Sequence, residues 1–280
     1  LRDRRQRQEA AHRALSQHGM LSQSNKARMA YRCWRYRFKS EAPQISFVRG
    51  ADLAGGTLLD VGANRGIYSI YLSRAAGRTG RVIAFEPQPE LKEHLETIRR
   101  SFALTNLEIA NLGLSSEPGE LLMRRPKAGA GSASFHIDPS HDWEEFSVPV
   151  VRLDDFAEQN DISDLRLIKC DVESHELDVF KGGRETLSRF LPALIFECNH
   201  EIASAGEMFS FLFELGYDGH FFHVSRRDHR SWLHKNRGSY IHVSRFADYE
   251  YPRQGLNARN YLFLKRGLDP ATVHAGGPLS

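Results

Sequence analysis

The sequence predicts an α/β protein built on a doubly wound, mostly parallel sheet. A short segment rich in apolar residues, 57–61, is long enough for one buried strand, and a helix-compatible segment, 67–76, follows it after a glycine turn. A second apolar segment, 81–86, comes about twenty residues after the turn and ends in an acid. A strand, a turn, a helix and a second strand in this order are typical of an open α/β sheet.

The turn after the first strand carries Gly62, Asn64 and Gly66. Glycine adopts φ > 0 and has no side chain to block a ligand, so such a turn presents backbone N–H groups to a nucleotide-like molecule. Glu86 lies where a carboxylate accepts hydrogen bonds from both hydroxyls of a ribose. Asp60 precedes the turn, and its charge repels a pyrophosphate but suits the sulfonium and ammonium of S-adenosylmethionine. The pattern therefore favours S-adenosylmethionine over NAD.

Together with the segment 169–176, Lys-Cys-Asp-Val-Glu-Ser-His-Glu, this pattern resembles the FkbM family of class I methyltransferases over roughly residues 57–264. The resemblance implies a Rossmann-like, seven-stranded, mostly parallel sheet with one antiparallel strand, and S-adenosylmethionine as the cofactor. It implies O-methylation of a hydroxyl on a sugar, a polyketide or a lipid-linked glycan. It places the loop 111–113 near the adenine, although Asn111 can equally shape a turn. The predicted cofactor-binding residues are Asp60, Gly62, Ala63, Asn64, Gly66, Tyr68, Ser69, Glu86, Pro87, Asn111, Gly113 and Asp171.

Length and composition indicate a globular protein. A chain of 280 residues with a hydrophobic fraction of 41% buries a full core as one domain with an appendage. We predict a basic helical extension over 1–50 and a cofactor-binding domain over 51–280. No apolar segment approaches the length of a membrane helix or follows the arginine-rich start as in a signal peptide. Three cysteines, an odd number, argue against disulfides, so a cytoplasmic location is expected.

The first forty residues are strongly basic, with eleven Lys and Arg against two Asp and Glu. Apolar residues at helical spacing predict a helix over 2–39 with a break near Gly19, and a boundary to the catalytic domain at 40–56. Three interpretations stay open. The helix packs on the domain or on a second subunit of a homo-oligomer, or it meets an anionic lipid surface or an acidic substrate, or, least favoured, it contacts nucleic acid.

The remaining elements continue the alternation of strands and helices. Predicted helices are 87–103, 175–190 and 204–215, and predicted strands are 107–115, 120–123, 146–151, 164–173, 192–200, 216–224 and 260–265, the last of them antiparallel. The segment 118–151 interrupts the rhythm and contains a Gly/Ser/Ala-rich loop, 127–134. An insertion at this point rises over the ligand end of the sheet, so we predict a lid there.

Polar residues are expected to gather on one rim, because ligands in open α/β sheets lie beyond the carboxyl ends of the strands. The residues of this rim are Asp60, Glu86, Asp171, Glu173, Glu197 and His200. An alcohol is a weak nucleophile until its proton is removed, so a general base is needed. Asp171 or His200 can serve, with Glu173 to orient the acceptor. The predicted catalytic residues are therefore Asp171, Glu173, His200 and Glu197.

The segment 169–176 departs from the family pattern at one position. Ser174 stands where the family normally has glycine, which leaves the shape of the loop and the choice of substrate open. His175 is expected to be a solvated residue in the first turn of the following helix.

A metal site and two other functions are weighed against this prediction. Asp171, Glu197 and Asn199 can imitate an oxygen-only Mg²⁺ site, although the resemblance requires no metal. No Asn/Asp-Pro-Pro-Tyr motif of the kind used on amino groups is present, which favours a small-molecule, glycan or lipid-linked hydroxyl acceptor. The alternatives are a nucleotide-dependent oxidoreductase and a non-catalytic nucleoside-binding or scaffold protein.

Overall fold

An eight-stranded sheet forms the centre of the molecule. The computed structural model describes residues 19–126, 143–198, 206–224, 238–248 and 260–279. The strands of this sheet are Thr57–Val61 (β1), Arg81–Phe85 (β2), Leu107–Ala110 (β3), Leu165–Cys170 (β7), Ala193–Glu197 (β8), Tyr217–Val224 (β9), Gly238–His242 (β10) and Asn260–Lys265 (β11). Along the sheet they lie in the order β10-β9-β11-β8-β7-β1-β2-β3.

Strands β3, β2, β1, β7 and β8 are parallel neighbours, and β11 runs antiparallel to both β8 and β9. All seven strands of the predicted sheet are therefore present, including the antiparallel closing strand. Strand β10, which the sequence did not predict, pairs antiparallel with β9 and extends that edge. The doubly wound, mostly parallel sheet is confirmed.

The central strand β1 is buried along its whole length, as expected for a parallel strand covered on both faces. Leu58 and Leu59 belong to two different hydrophobic cores, one on each side of the sheet. Asp60 is in register with Lys169 of β7 on one side and with Ala84 of β2 on the other. This register brings a carboxylate and an ammonium together in the middle of the sheet.

Helices cover both faces. The first core takes side chains from α1–α4 and α9, and the second core takes them from α5–α8. The helices are Gln23–Arg35 (α1), Ala42–Gly50 (α2), Ile67–Ala76 (α3), Pro89–Ser101 (α4), Leu153–Gln159 (α5), Glu176–Lys181 (α6), Arg184–Phe190 (α7), Glu207–Glu214 (α8) and Pro270–His274 (α9). A 3₁₀ helix, Val243–Asp248, follows β10. In the part of the chain that is described, no helix is both long enough and apolar enough to cross a membrane.

The predicted helix 175–190 is wrong as a single element. It consists of α6 and α7, which are separated by Gly182 and Gly183. A Cβ atom on Gly182 would lie 2.0 Å from the carbonyl oxygen of Ser115, so the chain passes against the segment that follows residue 114. Only a residue without a side chain permits that approach. Helix α5 was also not predicted.

The basic segment is part of the folded core from residue 21 onward. Helix α1 is capped by Ser22, whose hydroxyl accepts from the backbone N–H of Asn25. Met29 and Cys33 of α1 are buried, and the Tyr71 hydroxyl donates to the Cys33 carbonyl at 2.8 Å. Residues 1–18 lie outside the described ranges, so the lipid, oligomer and nucleic-acid interpretations stay predictions.

Residues 40–56, predicted as a boundary between domains, contain a buried helix instead. In α2 the side chains of Ile45, Phe47 and Val48 are fully buried against the first core. Burying one such side chain contributes about 1.5–3 kcal/mol. The proline and glycines that suggested a linker lie at or beyond the ends of this helix: Pro43 is in its first turn, Gly50 is its last residue, and Gly55 and Gly56 follow it. The segment therefore packs on the same core as the strands and helices that follow it.

The insertion forms a small sheet of its own, in the order β4-β6-β5. Its strands are Gly113–Leu114 (β4), Gly119–Pro126 (β5) and Trp143–Val151 (β6), and β5 pairs antiparallel with β6 along its length. The two predicted strands are confirmed and are longer than expected. The loop 127–142 lies outside the described ranges, and the lid stays a prediction.

Candidate active site

A cavity of about 730 Å³ opens at the carboxyl ends of β1, β2, β7 and β8. This volume is ordinary for a small-molecule site. Most residues predicted for the site line it, namely Asp60, Gly62, Ala63, Asn64, Tyr68, Glu86, Pro87, Gly113, Asp171, Glu173 and Glu197. Gly66, Ser69 and Asn111 are not in its lining, and Asn199 and His200 lie outside the described ranges.

Glu86 is held in place by the chain around it. Its two carboxylate oxygens accept from the backbone N–H of Asn64 at 2.8 Å and of Gln88 at 3.0 Å. Burial raises the pKa of Glu86, while these hydrogen bonds lower it. The side chain of Asn111 donates to the carbonyls of Glu86 and Pro87 at 2.8 and 3.1 Å. Asn111 therefore shapes the turn after β2, which was the alternative that the sequence left open.

Gly62 is required by contact with the protein itself. Its φ is +78°, and a Cβ atom there would lie 2.0 Å from the carbonyl oxygen of Asp171. The backbone N–H of Asp171 donates to the Val61 carbonyl at 3.0 Å, so the two chain segments are fixed against each other. The sequence explained this glycine by the approach of a ligand. The structure adds a tighter reason, because the backbone of a neighbouring strand fills the space.

Asp60 is 2% exposed and accepts a hydrogen bond from the Ser69 hydroxyl in the first turn of α3. Burial raises the pKa of Asp60 to about 6, although Ser69 and the charge of Lys169 lower it. Ser69 therefore acts on the site through Asp60. The carboxylate lies at the floor of the cavity, beneath the glycine turn.

Lys169 is a site residue that the sequence analysis did not identify. Its side chain is buried, with Nζ 3.4 Å from an oxygen of Asp171 and 5.1 Å from the centre of the Tyr68 ring. Burial lowers the pKa of Lys169, but the negative charges of Asp171 and Glu41 outweigh it, and the pKa is raised overall. The cavity floor therefore holds a permanent ammonium among carboxylates.

Glu41 reaches the cavity because of an irregular turn. A π-helix, Tyr36–Ser40, follows α1, and the backbone N–H of Glu41 donates to the Tyr36 carbonyl at 3.0 Å. The extra residue in this turn directs both Tyr36 and Glu41 into the cavity wall, and such π-turns are frequent at functional sites. The Tyr68 hydroxyl donates to Glu41 at 3.2 Å.

The carboxyl group of Glu41 titrates near neutrality. Burial raises its pKa to about 7, and the charges of Glu197 and Asp171 raise it as well, while Lys169 and Tyr68 lower it. A group with this pKa gains and loses a proton readily at physiological pH. Sequence reasoning missed it because a single Glu in a predicted boundary segment carries no pattern.

The loop after β7 has an unusual backbone. Glu173 and Ser174 have φ of +52° and +78°, which is the left-handed region. The side chain of Glu176 accepts from the backbone N–H of Val172 at 3.0 Å, and a ring nitrogen of His175 lies 3.0 Å from the Ser115 hydroxyl. His175 is buried, so the expectation of a solvated residue is wrong. The conformation explains why glycine suits position 174.

Substitutions at Ser174 test this explanation. We expect Ser174→Gly to be more stable than Ser174→Ala by about 1 kcal/mol, because both lack the hydroxyl and only alanine keeps a Cβ at positive φ. Thermal unfolding of the two variants measures the difference. Ser163, exposed in a loop and without positive φ, is the matched control. At position 163 the glycine variant should be less stable than the alanine variant. If the glycine variant were the more stable one at both positions, or the less stable one at both, the explanation would be contradicted.

The Mg²⁺ site that the sequence allowed finds no support. In the described ranges, no group of three or more His, Cys, Asp or Glu side chains is arranged to hold a metal ion. The place beside Asp171 is taken by the ammonium of Lys169, which already supplies a positive charge there. Asn199, the third predicted ligand, lies outside the described ranges, and the described residues give no support to a divalent cation between Asp171 and Glu197.

Two curated proteins are similar to the chain at low identity. The hexuronic acid methyltransferase AglP of Haloferax volcanii is 28% identical over 156 residues, 55% of this chain and 61% of that protein. Methyltransferase 1 of Beauveria bassiana is 27% identical over 146 residues, 45% of this chain and 57% of that protein. The chain spans about three-fifths of the length of the curated relatives it matches.

Solved structures and a family model complete the comparison. A methyltransferase FkbM from Methylobacillus flagellatus superposes with a TM-score of 0.36 and 20% identity over 51% of this chain and 33% of that one. Cofactor-bound Rv0187 from MTB superposes with a TM-score of 0.45 and 13% identity over 88% of this chain and 91% of that one. The family model described as the methyltransferase FkbM domain matches residues 60–218, more than half of the chain. The chain therefore belongs to the FkbM methyltransferase family.

Proposed function

We propose that this protein is an S-adenosylmethionine-dependent O-methyltransferase whose acceptor is a sugar hydroxyl. One observation carries the proposal. A single cavity joins the glycine turn and Glu86, which suit a nucleoside, to Glu41, Lys169 and Asp171, which suit proton transfer. The similarity to a hexuronic acid methyltransferase supports a sugar as the acceptor.

The donor half of the cavity lies over β1 and β2. When bound, S-adenosylmethionine supplies an electrophilic methyl group. The carboxylate of Glu86 is already fixed by two backbone N–H groups, so it meets a ribose without further ordering. Asp60 and Asp171 place negative charge near the floor, which favours a sulfonium over a neutral molecule. The residues predicted for cofactor binding are proposed in this role.

The acceptor half lies beyond β7 and β8. Transfer to a hydroxyl forms a carbon–oxygen bond, breaks the carbon–sulfur bond and releases one proton. We assign that proton to the carboxylate of Glu41, because its pKa of about 7 suits a general base at neutral pH. Asp171, held by Lys169, positions the acceptor hydroxyl, and Glu173 and Glu197 line the same wall. His200, the other predicted base, lies outside the described ranges.

The insertion 118–151 contributes to the cavity wall. Met123 of β5, together with Gly113 and Leu114 of β4, lines the cavity. This placement supports the predicted role of the insertion in covering the site and selecting the acceptor.

Calorimetry with S-adenosylhomocysteine tests the proposal. We expect binding of S-adenosylhomocysteine and none of NAD, and a loss of affinity of about tenfold or more in Glu86→Ala, because that variant removes a charged hydrogen-bond acceptor. Glu158→Ala, an exposed residue outside the cavity, is the control. Labelled-methyl transfer to uronic acids and neutral glycosides then identifies the acceptor. Tight NAD binding would favour the oxidoreductase, and binding without turnover on any acceptor would favour the scaffold protein.

A further inference from the structure

Three arginines line the cavity, and the proposed methyl transfer does not use them. Arg32 and Arg35 lie three residues apart in the last turn of α1, so their side chains leave the same face of the helix. Arg65 lies in the glycine turn, between Asn64 and Gly66. Two separate segments of the chain therefore bring guanidinium groups to one cavity.

In the described part of the chain, these three guanidiniums have no carboxylate partner. Within the ranges that the structure describes, no ion pair joins Arg32, Arg35 or Arg65 to a carboxylate, although other arginines such as Arg81 and Arg166 pair with acids. Arg32 and Arg65 are half-buried, and Arg35 is exposed at the mouth. Burial lowers the pKa of Arg65, and the positive charge of Arg32 lowers it further. Like charges held together in a partly desolvated place are costly unless an anion binds between them.

The three arginines are more exposed than the acids at the strand ends. Asp60 and Glu86 are 2% and 3% exposed, whereas Arg32 and Arg65 are half-buried and Arg35 is exposed. The methyl donor carries one carboxylate with an ammonium beside it, so three guanidiniums exceed what the donor requires. Their number and their fork geometry suit a second anion, such as a carboxylate or a phosphate, bound in a bidentate manner.

We propose that Arg32, Arg35 and Arg65 form a subsite for a carboxylate or phosphate group carried by the methyl acceptor. The inference rests on the proposed function and narrows its acceptor to an anionic sugar. In this arrangement the anionic group is held at the mouth of the cavity, and the hydroxyl to be methylated points toward Glu41 and Asp171.

The test measures binding to the full chain saturated with S-adenosylhomocysteine. Methyl glucuronoside, glucose 6-phosphate and methyl glucoside are titrated by nuclear magnetic resonance at low and high salt. We expect at least one of the two anions to bind about tenfold more tightly than the neutral glycoside, and salt to reduce that preference. The carboxylate and phosphate probes show which anion the subsite accepts.

Single Arg32→Gln and Arg65→Gln variants assign the preference to these residues. Each should reduce the preference for the anion about fivefold or more and leave the affinity for S-adenosylhomocysteine within twofold. Arg28 is exposed on the same helix and does not line the cavity, so Arg28→Gln is the matched control for charge. It should change neither the preference for the anion nor the affinity for S-adenosylhomocysteine. Thermal unfolding confirms that the variants are folded.

Three results would overturn the inference. The first is equal binding of the anionic and neutral sugars, and the second is an anion preference that survives both substitutions. The third is a tenfold loss of S-adenosylhomocysteine affinity in the arginine variants, which would assign the guanidiniums to the carboxylate of the donor. Each of these leaves the methyltransferase proposal intact. If wild-type protein fails to bind S-adenosylhomocysteine, the proposed function fails first.

Discussion

Replacing Glu41 by Gln is expected to lower kcat by about a hundredfold or more, because general base catalysis contributes on that scale. In the wild-type protein, kcat/KM should rise with pH through a midpoint near 7, where the Glu41 carboxyl group loses its proton. The Glu41→Gln variant should lose this rise. Initial rates of labelled-methyl transfer between pH 5.5 and 8.5 measure both effects.

The same substitution should stabilise the protein. The pKa of Glu41 is about 7 in the folded state against an ordinary value of 4.5, so folding favours the protonated form. Stability is therefore lost as pH rises from 4.5 through 7, because the folded protein must then hold a buried negative charge. Glutamine carries no charge, and the gain in unfolding temperature should be larger at pH 8 than at pH 5.

The Tyr68→Phe variant tests the role of Glu41 as general base independently. The Tyr68 hydroxyl donates to Glu41 and lowers its pKa, so removing that hydroxyl should move the midpoint of the pH profile upward. A purely structural role for Glu41 predicts no such movement. An unchanged pH profile in both variants would remove Glu41 from the proposed mechanism and return the base to Asp171 or His200.

Replacing Gly62 by Ala is expected to abolish binding of S-adenosylhomocysteine and to lower the free energy of unfolding by about 3 kcal/mol or more. The new Cβ would lie 2.0 Å from the backbone oxygen of Asp171, whose backbone N–H is bonded to the Val61 carbonyl at 3.0 Å and cannot move aside freely. The strands β1 and β7 would have to separate at the cavity floor. Calorimetry and chemical denaturation measure the two losses.

The Gly55→Ala variant distinguishes the effect of steric overlap with Asp171 from the effect of backbone strain at positive φ. Gly55 also has positive φ, +83°, but its added Cβ would approach nothing closer than 3.7 Å. We expect a cost of about 1–2 kcal/mol there, with cofactor affinity retained. Equal effects at both positions would mean that backbone conformation alone, and not the contact with Asp171, explains Gly62.

Much of the fold follows from local patterns. The apolar segment 57–61, the glycine turn and the acid at the end of β2 predicted a nucleoside site, because parallel strands bring their carboxyl ends to one edge. The helix break at Gly182 was missed, since its reason is a contact with Ser115, a residue far away along the chain. Helix α2 was missed because Pro43 at its start and the glycines at and after its end resemble a linker.

The sequence predicted only those residues of the site that lie directly after a strand. Glu41, Arg32 and Arg35 come from the N-terminal segment, and the place of Glu41 depends on a single π-turn that shifts the helical phase by one residue. Apolar periodicity does not encode that shift. Lys169 stood inside the quoted motif, but its burial between Asp171 and the Tyr68 ring depends on how α3 packs against the sheet.

The sequence by itself determined the seven strands that the family sheet requires, the glycine turn and the acids beyond it, because hydrophobic periodicity and backbone freedom act over a few residues. Only the tertiary structure decided which charges meet. Strand register placed Asp60 beside Lys169, and packing of the N-terminal helices brought Glu41 into the cavity. Electrostatic energies and pKa values depend on distance and burial, which are properties of the folded chain alone.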